Sequence, residues 1–261
     1  MRLIVLGCAG SGPGPDSPAS DYLVEAGDTL LFLDLGNGTF GALQRHIDPW
    51  ALDGAVFSHL HPDHCADFSA LTVHRRYHPS PPFDPTTRRL PVLAPAEAPD
   101  RFAAAYAPSA AERAATDLTD VFDFRVLADG VRAELGGVTI TTRRVDHVCE
   151  AYAVRLEHEG RSLVYSGDTG PCDALVELAR GADVLLCEAT WPHATPQWPE
   201  PPPGVHLSGR QAGEHAAAAG VGALLVTHVA AWYDADEVLA EAKAAFDGPV
   251  DRVAAGRAYD I

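Results

Sequence analysis

Ala55-Val56-Phe57-Ser58-His59-Leu60-His61-Pro62-Asp63-His64 is the stretch on which the reading of this chain turns. A short apolar run, Ala55–Phe57, ends in a segment that holds three imidazoles and a carboxylate between His59 and His64. Such groups are costly to bury without partners, and imidazole nitrogen with carboxylate oxygen is a donor set that zinc accepts. Alternation off a strand end points His59 and His61 the same way, toward one ion. Asp63 and His64, on the following turn, can then face a second. Three unrelated surface histidines are the plainer reading, and the tight spacing argues against it.

One segment cannot complete two coordination shells, so further His or Asp residues are expected at other strand ends. Asp146-His147 ends the run around Arg143–Val145, Gly167-Asp168-Thr169 follows Leu163–Tyr165, and Thr227-His228 follows Leu224–Val226. Each is polar at the tip of an apolar strand, where layered α/β folds build their sites. Asp168, with two carboxylate oxygens, can bridge both ions. Taken singly, each of these residues is more often a cap or a satisfied loop residue than a ligand; it is their recurrence that carries weight.

Working outward, apolar runs bounded by turn residues predict strands over Arg2–Gly7, Thr29–Asp34, Ala55–His59, Ser162–Asp168, Val184–Glu188 and Ala223–His228. Val131–Val145 and Tyr152–Tyr165 alternate in strand fashion, the second folding about Glu159-Gly160 as a hairpin. Ser208-Gly209-Arg210-Gln211 has capping-box spacing and opens a helix that stops at Gly220; Asp234-Ala235-Asp236-Glu237 opens another, closed by Gly248-Pro249. Ala94–Ala107 reads as helical, and Pro79–Arg89 and Trp191–Gly204 as Pro-rich loops. The strands and helices follow no strict βαβ rhythm, which predicts packed sheets covered by helices.

At 261 residues and 47% hydrophobic content, one domain spanning 1–261 is the expectation. Nineteen basic against 36 acidic residues give a formal charge of −17, which argues against extended nucleic-acid contact but not against a small phosphate-bearing substrate. Five cysteines without regular spacing read as reduced thiols, pointing to a cytoplasmic protein. No apolar run approaches the roughly 20 residues of a membrane helix, so no membrane partner is expected.

The His59–His64 segment, the Asp34-Leu35-Gly36 turn, His147, Gly167-Asp168-Thr169 and His228 together resemble the metallo-β-lactamase superfamily over nearly the whole chain. The resemblance implies an α/β fold, an αββα four-layer sandwich, with a dinuclear site at one edge. His59, His61 and His147 would bind the first metal, Asp63, His64 and His228 the second, and Asp168 would bridge, with Asp34 orienting ligands. Two zinc ions are the expected cofactors, with manganese the alternative. Cys187-Glu188-Ala189-Thr190, His206-Leu207-Ser208 and the Gly-rich Gly7–Gly12 are similar to motifs of the ribonuclease Z-like branch, in which the matching His assists the leaving oxygen and the matching Glu holds it. The basic, Gly- and Pro-rich arm by which ribonuclease Z grips tRNA has no counterpart around Pro79–Arg89. Several short segments, among them Asp16–Ser20, Gly41–His46, Arg75–Ser80 and Tyr165–Gly170, resemble small actinobacterial members that act as atypical cyclic-nucleotide phosphodiesterases.

These readings predict hydrolysis of a 3′,5′-cyclic nucleotide by metal-activated hydroxide, with Asp63, His206 and Glu188 as the catalytic side chains. A tRNA 3′-end endonuclease, a lactonase, thioesterase or β-lactamase, and a non-catalytic metal- or nucleotide-binding module are the alternatives. Arg75, Arg76, Trp191, Trp198, Trp232 and Tyr233 are candidate substrate contacts; the two arginines read more plainly as solvated charges on a helix, and packing of the loops onto the core is at least as good a reading of the four aromatics. Relatives of this kind often pair, so a homodimer is a further expectation.

Overall fold

The structure is a computed structural model that describes residues 1–196 and 198–261; Gln197, inside the expected loop Trp191–Gly204, lies outside the described residues. Two seven-stranded sheets dominate it. The first runs, edge to edge, Ala258–Asp260, Arg2–Gly7, Asp21–Ala26, Thr29–Leu33, Gly54–Val56, Leu90–Ala94 and Phe122–Val126. The second runs Val250–Arg252, Ala223–Thr227, Val184–Glu188, Arg161–Tyr165, Tyr152–His158, Val138–Arg144 and Arg132–Leu135.

The sheets meet face to face over one apolar cluster that draws Leu3, Val24, Leu31 and Val56 from the first and Ile140, Val154, Leu163 and Leu186 from the second. A second cluster lies under helices Phe68–Tyr77 and Ala98–Tyr106 on the outer face of the first sheet, through Phe57, Phe68 and Phe102. A third lies under helices Asp173–Ala179, Gly209–Ala219 and Ala235–Ala245 on the outer face of the second, through Leu175, Ala212 and Val238. The result is the four-layer αββα sandwich expected from the sequence. Each sheet is apolar on both faces, so its strands read as short unbroken hydrophobic runs rather than alternating ones.

Local chemistry explains the boundaries. The hairpin turns on Glu159 and Gly160, at φ 48° and 76°, the pair of positive values that a tight two-residue turn requires. Ser208 Oγ accepts from the Gln211 N–H while the Gln211 side chain accepts from the Ser208 N–H, a reciprocal cap, and Gly220 ends that helix in the left-handed region. Ala94–Ala107 is only partly helical: Leu90–Ala94 pairs as a strand between its parallel neighbours, and the helix starts at Ala98. Burial between two strands outweighs the helix preference of alanine there.

Polarity of the strands sets the site. Thr29–Leu33, Gly54–Val56, Val138–Arg144, Arg161–Tyr165, Val184–Glu188 and Ala223–Thr227 all end at one edge of the sandwich. The loops after them carry Asp34, His59–His64, His147, Asp168, Thr190 and His228.

Candidate metal centre

The structure brings the seven expected ligands into two overlapping groups. His59, His61, His147 and Asp168 offer donor atoms that lie within 4.8 Å of one another, and so do Asp63, His64, Asp168 and His228. Asp168 belongs to both. His59, His64, Asp168 and His228 are at most 2% exposed.

Hydrogen bonds at the rear of the rings fix which nitrogen faces the centre. His64 Nδ1 donates to Asp34 Oδ2 at 2.7 Å, and His147 Nδ1 donates to the Val205 carbonyl at 2.7 Å. His59 Nδ1 lies 3.1 Å from Ser58 Oγ, whose own hydroxyl donates to Asp34 Oδ2. His228 Nδ1 donates to Thr190 Oγ1, which donates in turn to Glu188 Oε2, each at 2.9 Å. Four imidazoles therefore hold their proton away from the centre and turn Nε2 toward it. Asp34 anchors the set, accepting also from the Ser58 N–H and the Tyr165 hydroxyl.

These inward nitrogens crowd one another as lone pairs. His59 Nε2 and His147 Nε2 lie 3.1 and 3.2 Å from His61 Nδ1, and His64 Nε2 lies 3.0 Å from His228 Nε2. Asp168 Oδ1, 3.2 Å from His64 Nε2, is buried and makes no hydrogen bond among the described residues. Converging lone pairs and an orphaned carboxylate oxygen are what a bound cation would satisfy. The donor set fits divalent metal.

The electrostatics are those of a charge-dense centre: burial would lower the His64 imidazole, but Asp168 and Asp34 outweigh it and raise the ring, whose extra proton a bound cation would displace. Burial would raise the Asp168 carboxyl, but the neighbouring His228 and His64 hold it well below the ordinary carboxylate range. Asp63 is likewise held down against burial by its bonds to His228 and His64. Burial, helped by the neighbouring His64, pushes the His59 imidazole far down, so it stays neutral and able to ligate.

Beside this centre, His206 Nδ1 donates to Glu188 Oε1 at 3.0 Å and lies 3.7 Å from Asp168 Oδ2. Burial alone would depress His206, but the Glu188 carboxylate overrides it and pushes the imidazole up to about 9. Glu188 is fully buried and also accepts from the Thr169 N–H. The Trp191 ring stands edge-on to His206 at 5.1 Å, and Trp198 packs against Trp191 at 5.7 Å.

The other candidate contacts divide. Trp232 is 68% exposed in the loop after His228, with Tyr233 beside it. Arg75 is buried at the far end of its helix, over the Trp50 ring, and Arg76 pairs with Asp120; neither reaches the metal-ligating edge. Sequence reading did not single out Tyr165, whose place in a strand looks like ordinary core, or the Val205 carbonyl, which leaves no sequence signal at all.

An αββα sandwich with a twinned His/Asp centre at the ends of its strands defines a metal-dependent hydrolase. The chain belongs to the metallo-β-lactamase superfamily: the Beta-lactamase superfamily domain matches residues 31–229. It is 49% identical over 263 residues to an uncharacterized protein of Mycobacterium leprae, covering 100% of this chain and 89% of that one. It is 31% identical to a ribonuclease Z of Mycobacterium bovis over 245 residues, 87% and 85% of the two chains. Among solved structures, the metallo-beta-lactamase fold protein YhfI of Bacillus subtilis superposes with a TM-score of 0.82 at 24% identity, over 99% and 98% of the chains.

Proposed function

We propose that this protein is a phosphodiesterase that opens a 3′,5′-cyclic nucleotide. The observation that carries the reading is the His206–Glu188 pair at the rim of the metal centre. Two divalent ions, zinc in our reading, would supply Lewis acidity toward a phosphoryl oxygen and a water acidified toward neutrality. What remains is the departing ribose oxygen, a poor leaving group until it is protonated.

His206 is suited to that task. Its Nδ1 is committed to Glu188, its Nε2 has no partner among the described residues, and the Glu188 carboxylate favours its protonated form. Glu188 fixes the ring's orientation and is itself locked by Thr169 and Thr190. Asp63, ionised and with its side chain 12% exposed, can hold the proton of an incoming water. In this reading His59, His61 and His147 would hold one ion and Asp63, His64 and His228 the other, with Asp168 shared between the two groups. Trp191, and Trp232 farther out, offer apolar faces on which a base can stack. The protein is read as one cytoplasmic domain, 1–261, acting on a small diester.

The likeness to ribonuclease Z favours a second reading, cleavage of tRNA at its 3′ end. The formal charge of −17 opposes it, since extended RNA is gripped through its phosphates. The test is hydrolysis of cyclic AMP by the zinc-loaded protein beside His206→Ala and Asp63→Ala, with a pre-tRNA as rival substrate. We expect 5′-AMP or 3′-AMP from the wild type and a loss of about 10²-fold or more in kcat for His206→Ala at unchanged zinc content. Asp63→Ala should lose activity together with metal. Cleavage of the pre-tRNA alone moves the substrate to RNA; hydrolysis of an ester or lactam that survives His206→Ala moves it out of the phosphodiesters.

A further inference from the structure

A second site lies at the end of the sandwich opposite the metal centre. There the starts of strands Gly54–Val56 and Leu90–Ala94 and the last turn of helix Phe68–Tyr77 enclose a cavity of about 190 Å³, lined among others by Asp53, Phe83, Arg75, Arg88 and Arg89. Some arginines elsewhere, such as Arg76, Arg143 and Arg210, pair with carboxylates, and others, such as Arg45, Arg101 and Arg132, do not among the described residues. What sets Arg75, Arg88 and Arg89 apart is that they are gathered at one cavity and have no ion pair among the described residues. Asp53 is the one acid in the lining, and its Oδ2 accepts from the Leu30 N–H at 3.0 Å.

Arg75 is the unusual member. It is 3% exposed, with its guanidinium 5.1 Å from the Trp50 ring centre. Nε donates to the Val121 carbonyl and Nη2 to the Arg88 carbonyl, which leaves Nη1 without a hydrogen-bond partner among the described residues. Burial, together with the neighbouring Arg88 charge, drives it down to about 10. Desolvating a guanidinium next to a second one is unfavourable unless an anion joins them. The loop is built to hold Arg88 there: Asp84 Oδ1 accepts from the Thr86 N–H and hydroxyl, the Asp84 carbonyl accepts from the Arg88 N–H, and the Arg88 guanidinium rests 4.5 Å over the Phe83 ring.

We propose that this cavity binds a small phosphate-type dianion between Arg75, Arg88 and Arg89, with Phe83 as its apolar wall. Guanidinium forks match phosphate oxygens two at a time, and three of them against one carboxylate leave two positive charges to neutralise. The volume admits a phosphate with a small organic group and excludes a polymer backbone threading through it. Inorganic phosphate and a compact phosphate monoester share this chemistry.

Calorimetric titration of the zinc-loaded protein with inorganic phosphate, and separately with glycerol 3-phosphate, tests the site against the double variant Arg88→Gln/Arg89→Gln. Both arginines are exposed, the Arg88 carbonyl that Arg75 uses is kept, and the variant loses only the exposed Arg89 hydrogen bond to the Thr119 carbonyl, so it should fold with little change in Tm in phosphate-free buffer. The expected result is one binding event fewer than in the wild type, or one weakened by about tenfold or more. The better of the two titrants identifies the source of the phosphate. Identical isotherms for the two proteins, or a difference that ionic-strength-matched chloride abolishes, overturn the proposal. A second readout needs no variant: tungstate soaked into wild-type crystals should give an anomalous peak between Arg75 and Arg88, and peaks found only at the metal centre overturn it.

Discussion

Asp34 and His228 adopt φ values of 63° and 58°, a region that non-glycine residues avoid at a cost of about 1–3 kcal/mol. Both are held there by what they bind: Asp34 by the Ser58 amide and hydroxyl, Tyr165 and His64, and His228 by Thr190 and by its own N–H to the Cys8 carbonyl. Strain at these positions is the mark of a pre-organised site. Asp21 is a different case of residue-level conflict. It is fully buried, neither carboxylate oxygen has a hydrogen-bond partner among the described residues, and burial raises its carboxyl well above the ordinary range, with Asp34 and Asp67 adding to the rise. Because the folded-state pKa is raised, the folded chain binds more protons than the unfolded one between the two pKa values. The stability that this group contributes is complete below the unfolded pKa and is lost as pH climbs through the folded one. Asp21→Asn should therefore gain on the wild type as pH rises from 5 to 7.5, by at most about 1.4 kcal/mol per pH unit, in urea unfolding at each pH. A difference that stays flat or shrinks with pH would show Asp21 to be ionised in the fold.

Short elements hold the centre together. The two-residue strands Ala9–Gly10 and Val229–Ala230 pair in parallel and clamp His228. A Cβ on Gly10 would come within 2.1 Å of the His228 carbonyl oxygen and 2.9 Å of its Nδ1, so Gly10→Ala must push the two short strands apart at His228. We expect zinc affinity to fall by about 10- to 100-fold in chelator competition. Gly41→Ala, on an exposed helical position with nothing within 4 Å of the added methyl, should leave it unchanged. Elements of this kind are hard to read from sequence. Two-residue strands have no periodicity, and Leu90–Ala94 merges into an Ala-rich run whose helical preference hides the strand. The hairpin at Glu159-Gly160 and the caps at Ser208 and Asp234 were legible because their signals are local, set by residues no more than a few positions apart.

At the scale of the molecule, the metal centre is assembled from loops that follow separate strands of two sheets, so metal binding ties both halves of the sandwich together. Removing the metal with a chelator should lower Tm by roughly 10 °C, the loss of about 4 kcal/mol of binding stabilisation in a chain of this size, and added zinc should restore it. No shift on chelation would mean that the apo site is already as stable as the loaded one. No helix among the described residues is long and apolar enough to cross a membrane. Sequence alone set packed sheets covered by helices and the seven candidate ligands, because a His/Asp segment after an apolar run and polar tips on several others are one-dimensional patterns; the four-layer class came from the resemblance to the metallo-β-lactamase superfamily. Only tertiary structure decided which ring nitrogen faces the centre, since Val205, Thr190 and Tyr165 become partners of distant side chains through packing alone. The same holds for Arg75: on its helix it looked like a solvated charge, and only the meeting of that helix with the start of Leu90–Ala94 and the Pro79–Arg89 loop buried it beside two more cations.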